Sequence, residues 1–144
     1  MENTSNMVAR IPNLVDWSTG EVRLISAKCN SCGTYFFPKG AYLHRPGCSR
    51  EGIEDVLLPN KGKLASYVIQ NYNPPPPFKT EKSIVPYGIG LVEFENEKIQ
   101  VAGIITEADL KSLEMGMEME TTTLRLFSNE EKQDVVTWAF RPVK

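Results

Sequence analysis

Three cysteines and one histidine, gathered between Cys29 and Cys48, constrain this chain more than any other feature of its sequence. They are the only cysteines and the only histidine among 144 residues, and their spacing is C-x2-C-x11-H-x3-C. Two close pairs on tight turns supply four ligands at a low cost in loop closure, which is the pattern of a tetrahedral zinc site. We therefore predict a zinc ribbon whose ligands are Cys29, Cys32, His44 and Cys48.

Other interpretations of the same residues remain open at this point. The motif is either a metal site or a relic with three free thiols, and the presence of His44 favours zinc over an iron site of four thiolates. A redox-active C-x2-C pair is disfavoured because no strand-then-helix pattern surrounds Cys29. Four protein ligands leave no coordination position for water, so the predicted role of the zinc is structural.

The remaining sequence offers no evident catalytic set. It contains no G-x-S-x-G, no H-E-x-x-H and no glycine-rich phosphate loop. The predicted metal site already uses every cysteine and the single histidine. We therefore expect a binding or assembly protein that is not an enzyme on its own, with a free-standing enzyme as the weaker alternative.

Charge is unevenly distributed along the chain. The formal net charge is -2 and the sequence pI is about 5.5, which disfavours nucleic-acid binding driven by counterion release. The segment 22–50 nevertheless has no Asp or Glu and carries five Lys and Arg residues. This segment is either a cationic surface for a phosphate-bearing ligand or part of an ordinary solvated surface. No apolar run reaches the roughly 18 residues of a membrane span, and Met1–Asn6 does not resemble a secretory signal, so we expect a cytoplasmic protein.

Apolar periodicity predicts a mainly β protein in three parts. Residues 1–21 form a short helical arm interrupted at Pro12, residues 22–55 form the rubredoxin-like zinc ribbon, and residues 56–144 form a five-stranded OB-fold barrel. A short helix capped by Thr106 separates the third and fourth barrel strands. The strands are predicted at Val22–Ala27, Thr34–Phe37, Gly62–Tyr72, Val85–Glu95, Ile99–Ile105, Met117–Phe127 and Val135–Phe140.

Several short motifs together resemble those of the DUF35 family, from about Val22 to the C-terminus. The resemblance rests on Cys29-Asn-Ser-Cys32-Gly33, Phe37-Pro38, Pro46-Gly47-Cys48, the Pro-Pro-Phe segment ending at Phe78, Pro86-Tyr87-Gly-Ile-Gly-Leu-Val-Glu-Phe94, Leu113-Glu-Met-Gly-Met117 and Phe140-Arg-Pro142. The second metal pair departs from the family, which usually has Cys-Pro-x-Cys, because Arg45 occupies the first of those positions and His44 precedes it.

The resemblance implies a non-catalytic accessory subunit of a thiolase-type acyl-CoA enzyme. Such a subunit docks on a thiolase-fold catalytic subunit in a hetero-oligomer and helps to bind or shield a CoA thioester. Benzoylsuccinyl-CoA thiolysis in anaerobic toluene degradation is one reaction that fits. The residues expected to contact CoA are Phe37, Lys39, Arg45, Arg50 and Phe78. The alternative function is a single-stranded nucleic-acid-binding protein, because OB folds and zinc ribbons both serve that role, although the acid-rich barrel disfavours it.

Overall fold

The computed structural model describes residues 7–38, 44, 46–49, 51–74, 80 and 83–143. These residues form a mainly β protein, as predicted, with a single short 3-10 helix at Leu110–Ser112. The strands are β1 Met7–Ala9, β2 Val15–Asp16, β3 Arg23–Cys29, β4 Tyr35–Phe36, β5 Ile53–Leu57, β6 Lys61–Gln70, β7 Tyr87–Phe94, β8 Ile99–Ile105, β9 Glu118–Ser128 and β10 Asp134–Pro142.

Strands β6 to β10 form the closed five-stranded barrel that the sequence predicts. Neighbouring strands follow the order β10-β8-β7-β6-β9, and β9 pairs with β10 to close the barrel. The β8–β10 pair is parallel and the other pairs of the barrel are antiparallel. This connectivity, with a short helix between β8 and β9, is that of an OB fold.

Alternating side chains explain why these segments pair as they do. Along β7, Gly90, Val92 and Phe94 face the barrel interior and are buried, whereas the residues between them are partly exposed. The interior contains ten buried apolar residues that form one cluster, and most of its members come from the barrel strands. At Gly103 of β8, a Cβ atom would lie 2.7 Å from Cε2 of Phe140, so only glycine allows this close approach.

The ribbon is organised around β3, which pairs with β2, β4 and β5. The first half of β3 places Leu24 in the barrel cluster, together with Leu58, which directly follows β5. The second half places Ala27 and Cys29 in a separate small cluster with Phe36. A single strand therefore contributes to the barrel core and to the site where the cysteines meet.

The predicted helical arm over residues 1–21 is wrong for the part that the structure describes. Residues 7–21 contain β1 and β2 and no helix. Strand β1 pairs in parallel with Asp134–Val136 of β10, and the N–H of Arg10 donates to the carbonyl of Val136 at 2.8 Å. The scattered apolar residues of this arm thus serve a long-range strand pairing, and the chain then turns through Asn13, which has a φ of 68°.

Two predicted boundaries lie near the barrel, one at the helix capped by Thr106 and one between segments 22–55 and 56–144. The predicted helix capped by Thr106 is shorter, because Glu107 adopts a φ of 55° and Asp109 is the N-cap, accepting a bond from the N–H of Lys111. The division into segments 1–21, 22–55 and 56–144 stays a prediction. Strand β5 runs across its second boundary while pairing with β3 of the ribbon.

Candidate metal centre and adjoining surfaces

The first pair of candidate ligands lies on a tight turn after β3. The N–H of Gly33 donates to the carbonyl of Cys29 at 2.7 Å, and the N–H of Cys29 donates to the carbonyl of Thr34 at 2.9 Å. Gly33 has a φ of 73°, a conformation that glycine adopts without steric cost. This turn brings the side chains of Cys29 and Cys32 to the same side of the ribbon.

The second pair, His44 and Cys48, faces the first across the end of the ribbon. Gly47 has a φ of 80° and turns the chain just before Cys48. The imidazole of His44 packs against the ring of Phe36, with centroids 5.0 Å apart. Phe36 of β4 therefore helps to orient the histidine towards the cysteines.

The four candidate ligand atoms form one compact group. The Sγ atoms of Cys29 and Cys48 are 3.6 Å apart, and Nδ1 of His44 lies 3.3 Å from Sγ of Cys48 and 3.7 Å from Sγ of Cys32. All four atoms lie within 4.8 Å of one another. Tetrahedral zinc with bonds of about 2.0–2.3 Å has edges of roughly 3.3–3.8 Å between ligands. The group therefore fits a metal ion with only a small contraction.

Burial distinguishes the ligands from one another. Cys29 is fully buried, whereas Cys32, His44 and Cys48 are half-buried. The hydroxyl of Thr34 lies 3.2 Å from Sγ of Cys32, where it can donate to a thiolate. A neutral imidazole with three thiolates is a ligand set that zinc accepts, and it leaves no open position for substrate. The described arrangement suits a structural metal.

A third segment, which the sequence did not predict, braces the first turn. The N–H of Asn30 donates to the carbonyl of Gly52 at 3.0 Å, and the hydroxyl of Ser31 donates to the carbonyl of Glu51 at 2.8 Å. Gly52 has a φ of 73°, and its position just before β5 was the only available signal. The first metal turn is thus held from outside the Cys29–Cys48 stretch.

The residues predicted to contact CoA have different outcomes. Phe37 packs partly buried against the barrel cluster and meets the indole of Trp138 edge-on, so its main contacts are within the chain. Lys39, Arg45, Arg50 and Phe78 lie outside the described residues. Their proposed contacts remain predictions.

A cleft of about 550 Å³ adjoins the candidate metal centre. It lies between the ribbon turn at Cys32–Tyr35 and the β7–β8 turn at Asn96–Lys98, and His44 is on its wall. Two cations line it, Lys28 and Lys98, and the ammonium of Lys28 lies 5.5 Å from the centroid of the Tyr35 ring. The sequence predicted the cationic character of the ribbon, but it did not predict that the β7–β8 turn lies next to the ribbon.

The barrel has an uncharged apolar area on its outer face, here called the outer wall. Two cross-strand rows form it, because Val68 pairs with Ile89 and Ile89 with Ile104, while Ser66 pairs with Leu91 and Leu91 with Ala102. Val68 is 50% exposed, and Ala102 is also exposed. The next row is polar, since Lys63 pairs with Glu93 and Glu93 with Gln100.

The outer wall continues into a groove of about 270 Å³ at the split between β8 and β10. Ile89, Ile104 and Trp138 line this groove, with Arg10 at its edge. The indole N–H of Trp138 donates to the carbonyl of Ala102 at 2.9 Å. This bond satisfies a carbonyl of β8 at a point where β10 does not pair with β8. The apolar surface therefore extends across β6, β7 and β8 to Trp138.

The fold and the site define a small β protein in which a Cys3His ribbon is joined to an OB barrel. Comparison with known proteins places it in a family. The chain is 34% identical over 119 residues to a DUF35 domain-containing scaffold protein of Methanothermobacter thermautotrophicus, covering 82% of this chain and 84% of the relative. It is 30% identical to a protein of the same description from Methanocaldococcus jannaschii, covering 84% of this chain and 82% of the relative. The chain belongs to the DUF35 family.

Two further similarities concern the OB domain and the fold. The family model for the C-terminal OB-fold domain of ChsH2 matches residues 55–124. A solved structure titled Ltp2-ChsH2(DUF35) aldolase superimposes with a TM-score of 0.61 over 83% of this chain and 84% of that chain. At 24% sequence identity, this second similarity supports the fold alone.

Within the described residues, no helix is long and apolar enough to cross a membrane.

Proposed function

We propose that this chain is a zinc-binding, non-catalytic accessory subunit that docks on a thiolase-fold catalytic subunit and helps to hold or shield a CoA thioester. Membership of a family whose relatives are named scaffold proteins supports the scaffold role. The Cys3His group supports a structural zinc, because thiolates and one imidazole match its ligand preferences. The zinc ribbon is rigid once metal is bound, since metal binding and local folding are coupled.

The observation that carries the docking proposal is the outer wall. Uncharged rows that run across three strands and include an aliphatic side chain as exposed as Val68 are unusual on a free surface. The polar row at Lys63, Glu93 and Gln100 borders the wall as the rim of an interface borders its apolar centre. We therefore assign the outer wall as the surface that meets the catalytic subunit.

The cleft beside the metal centre supports a role near the CoA moiety. Its two lysines, Lys28 and Lys98, outnumber its one carboxylate, Glu97, and in this proposal they contact a phosphate or pyrophosphate group. In this proposal, Lys39, Arg45 and Arg50 add further cationic contacts, and Phe37 and Phe78 lie along the pantetheine arm. The acyl group is open, and benzoylsuccinyl-CoA is the substrate that we would test first.

The docking proposal is tested by copurification with the catalytic subunit. Ile89→Lys places a charge in the centre of the outer wall and should abolish the recovery of a thiolase-fold polypeptide with the tagged chain. Glu131→Gln, in the exposed β9–β10 turn, changes the net charge by the same amount and should retain the partner. Recovery of a monodisperse chain that binds no thiolase-fold subunit, or equal recovery by both variants, contradicts the proposal.

A second experiment tests the non-catalytic role. Thiolysis of CoA thioesters should require both polypeptides, and the purified chain alone should show none. Measurable thiolysis by the chain alone would make it an enzyme. Salt-dependent binding of single-stranded oligonucleotides, without any catalytic partner, would favour the nucleic-acid alternative.

A further inference from the structure

One strand of the barrel has an edge that is left without a partner among the described residues. Strand β6 pairs with β9 only at Lys61–Lys63, and with β7 from Lys63 to Gln70. Leu64 is the last residue bonded on the β9 side, because its N–H donates to the carbonyl of Met117 and its carbonyl accepts from the N–H of Gly116. The segment 65–70, here called the β6 edge, has no strand on that side in the part of the chain that the structure describes.

The β6 edge is not protected in the usual ways. Its sequence, Ala-Ser-Tyr-Val-Ile-Gln, contains no charge, no proline and no glycine. Natural edge strands are commonly interrupted by lysine, proline or a bulge, because an open edge is a template for another strand. The bulge of β6 lies between Leu64 and Ser66, at the start of this edge, and the strand is regular from Ser66 to Gln70.

Exposed apolar side chains are concentrated on the same segment. Tyr67 is 38% exposed, Val68 is 50% exposed and Tyr72, just beyond the strand, is 83% exposed. These are three of the seven large apolar residues that are exposed in the described residues. An open backbone edge and an exposed apolar surface at one place indicate an interface.

We propose that the β6 edge pairs in antiparallel fashion with the β6 edge of a second copy of this chain. Side chains alternate between the faces of a strand, so directly opposite residues must lie on the same face. A two-fold axis perpendicular to the sheet therefore passes through one residue and not between two. Placed at Val68, the axis pairs Tyr67 with Ile69 and Ser66 with Gln70 of the other copy.

This register matches like with like and separates the charges. Val68 faces its own symmetry mate, the partly buried Ile69 faces Tyr67, and the polar Ser66 faces Gln70. Lys63 takes no part in the new pairing, because Glu118 of β9 already pairs with it on that side of the strand. A segment without charge pairs with itself at no electrostatic cost, which favours a second copy over a partner selected by charge.

The pairing also joins the two outer walls. In each copy Val68, Ile89 and Ile104 form one cross-strand row. Across the axis, these rows become a single row of six side chains that spans two barrels. The dimer goes beyond the proposed function and does not depend on it, because it concerns the chain alone.

Sedimentation equilibrium of the full-length chain tests the proposal. We expect a species of twice the 16.2 kDa chain mass at micromolar concentration. Val68→Lys brings two ammonium groups face to face at the axis and should weaken the dimer about tenfold or more. Gln100→Lys adds the same charge to the outer face of β8, away from the edge, and should leave the dimer intact. Far-UV circular dichroism checks that both variants are folded.

Cysteine cross-linking tests the register. Val68→Cys should give a disulfide-linked dimer under mild oxidation, with a 68–68 linkage in the peptide map. Ser66→Cys alone should give no disulfide-linked dimer, because the residue opposite it is Gln70. The double variant Ser66→Cys, Gln70→Cys should give one. A monomer at all concentrations, or a dimer that Val68→Lys leaves unchanged, overturns the proposal. The proposal is also overturned if the chain is monomeric and Val68→Lys abolishes its binding to a thiolase-fold subunit. That result would show that the catalytic subunit, and not a second copy, contacts the β6 edge.

Discussion

The ring of Phe37 meets the indole of Trp138 edge-on, with centroids 5.2 Å apart and an interplanar angle of 89°. Phe37 directly follows β4 of the ribbon, and Trp138 lies on β10 of the barrel. Edge-to-face pairs of this kind contribute about 0.5–1.5 kcal/mol beyond the area that they bury. The contact therefore helps to fix the orientation of the ribbon on the barrel.

Phe37→Ala should loosen this attachment. We expect a loss of about 1–2 kcal/mol in the free energy of unfolding and a red shift in the emission of Trp138, because its indole becomes more hydrated. The measurement is best made in a Trp17→Phe background, which leaves Trp138 as the single tryptophan of the chain. Tyr72→Ala, at a residue that is 83% exposed, serves as the control. An unchanged emission spectrum in Phe37→Ala would show that the contact does not shield Trp138.

Cys29→Ser and Cys48→Ser should abolish metal binding. Elemental analysis of the unaltered chain should find about one zinc per chain, and either variant should fall to background. His44→Ala should bind more weakly, because three thiolates remain. Proteolysis should then cleave the ribbon of the variants first, while Thr19→Ala, at an exposed position in the turn between β2 and β3, keeps both metal and resistance. Full zinc content in Cys29→Ser would contradict the ligand set.

Gly103→Ala should destabilise the barrel. The added Cβ would lie 2.7 Å and 2.9 Å from two atoms of the Phe140 ring, which is fully buried. Overpacking of this type costs about 1–3 kcal/mol. Gly88→Ala is the matched control on β7, because its Cβ would come no closer than 3.3 Å to flexible aliphatic groups. Thermal unfolding should place Gly103→Ala well below Gly88→Ala, and equal midpoints would contradict the packing argument.

Asp16→Asn should lower the thermal stability at neutral pH and leave it unchanged in acid. The pKa of Asp16 is held below its ordinary value of 3.8 by hydrogen bonds from the backbone N–H and the hydroxyl of Ser18, with a smaller effect from Arg23. A carboxyl with a depressed pKa in the folded state stabilises above its unfolded pKa, and this contribution is lost as the pH falls through the folded pKa. The unaltered chain should therefore unfold at a slightly higher temperature at pH 7, and the difference should disappear as the pH falls from the ordinary value of 3.8 through the lower folded pKa of Asp16. A difference that grows in acid would contradict this sign.

Local patterns predicted the barrel well because its strands alternate between a buried and an exposed face. Strand β8 has the predicted bounds Ile99–Ile105, and β7 and β10 differ from the prediction by one or two residues at each end. The metal group could also be predicted from the sequence, because residue type and spacing alone distinguish Cys29, Cys32, His44 and Cys48. Their meeting within 4.8 Å follows from tight turns that glycines permit.

Long-range contacts account for what the sequence did not show. Strand β1 exists because β10 offers it a parallel edge more than 120 residues away, and an isolated segment with Pro12 carries no trace of that partner. Strand β5 is not among the predicted strands, yet it pairs with β3 over Ile53–Leu57. The bracing of Asn30 by Gly52 is likewise a backbone contact, to which side-chain identity gives no clue.

Strand β3 has a consequence for the way in which such proteins can be recombined. Leu24 helps to fill the barrel, and Cys29 completes the metal group, only five positions further along one strand. A chimera that exchanged the whole ribbon for one from a distant relative would also exchange a piece of the barrel interior. Successful grafting should therefore require that the incoming ribbon supply a leucine-sized side chain at position 24, whatever its metal ligands are. The two halves of this architecture are thus physically joined through one aliphatic side chain.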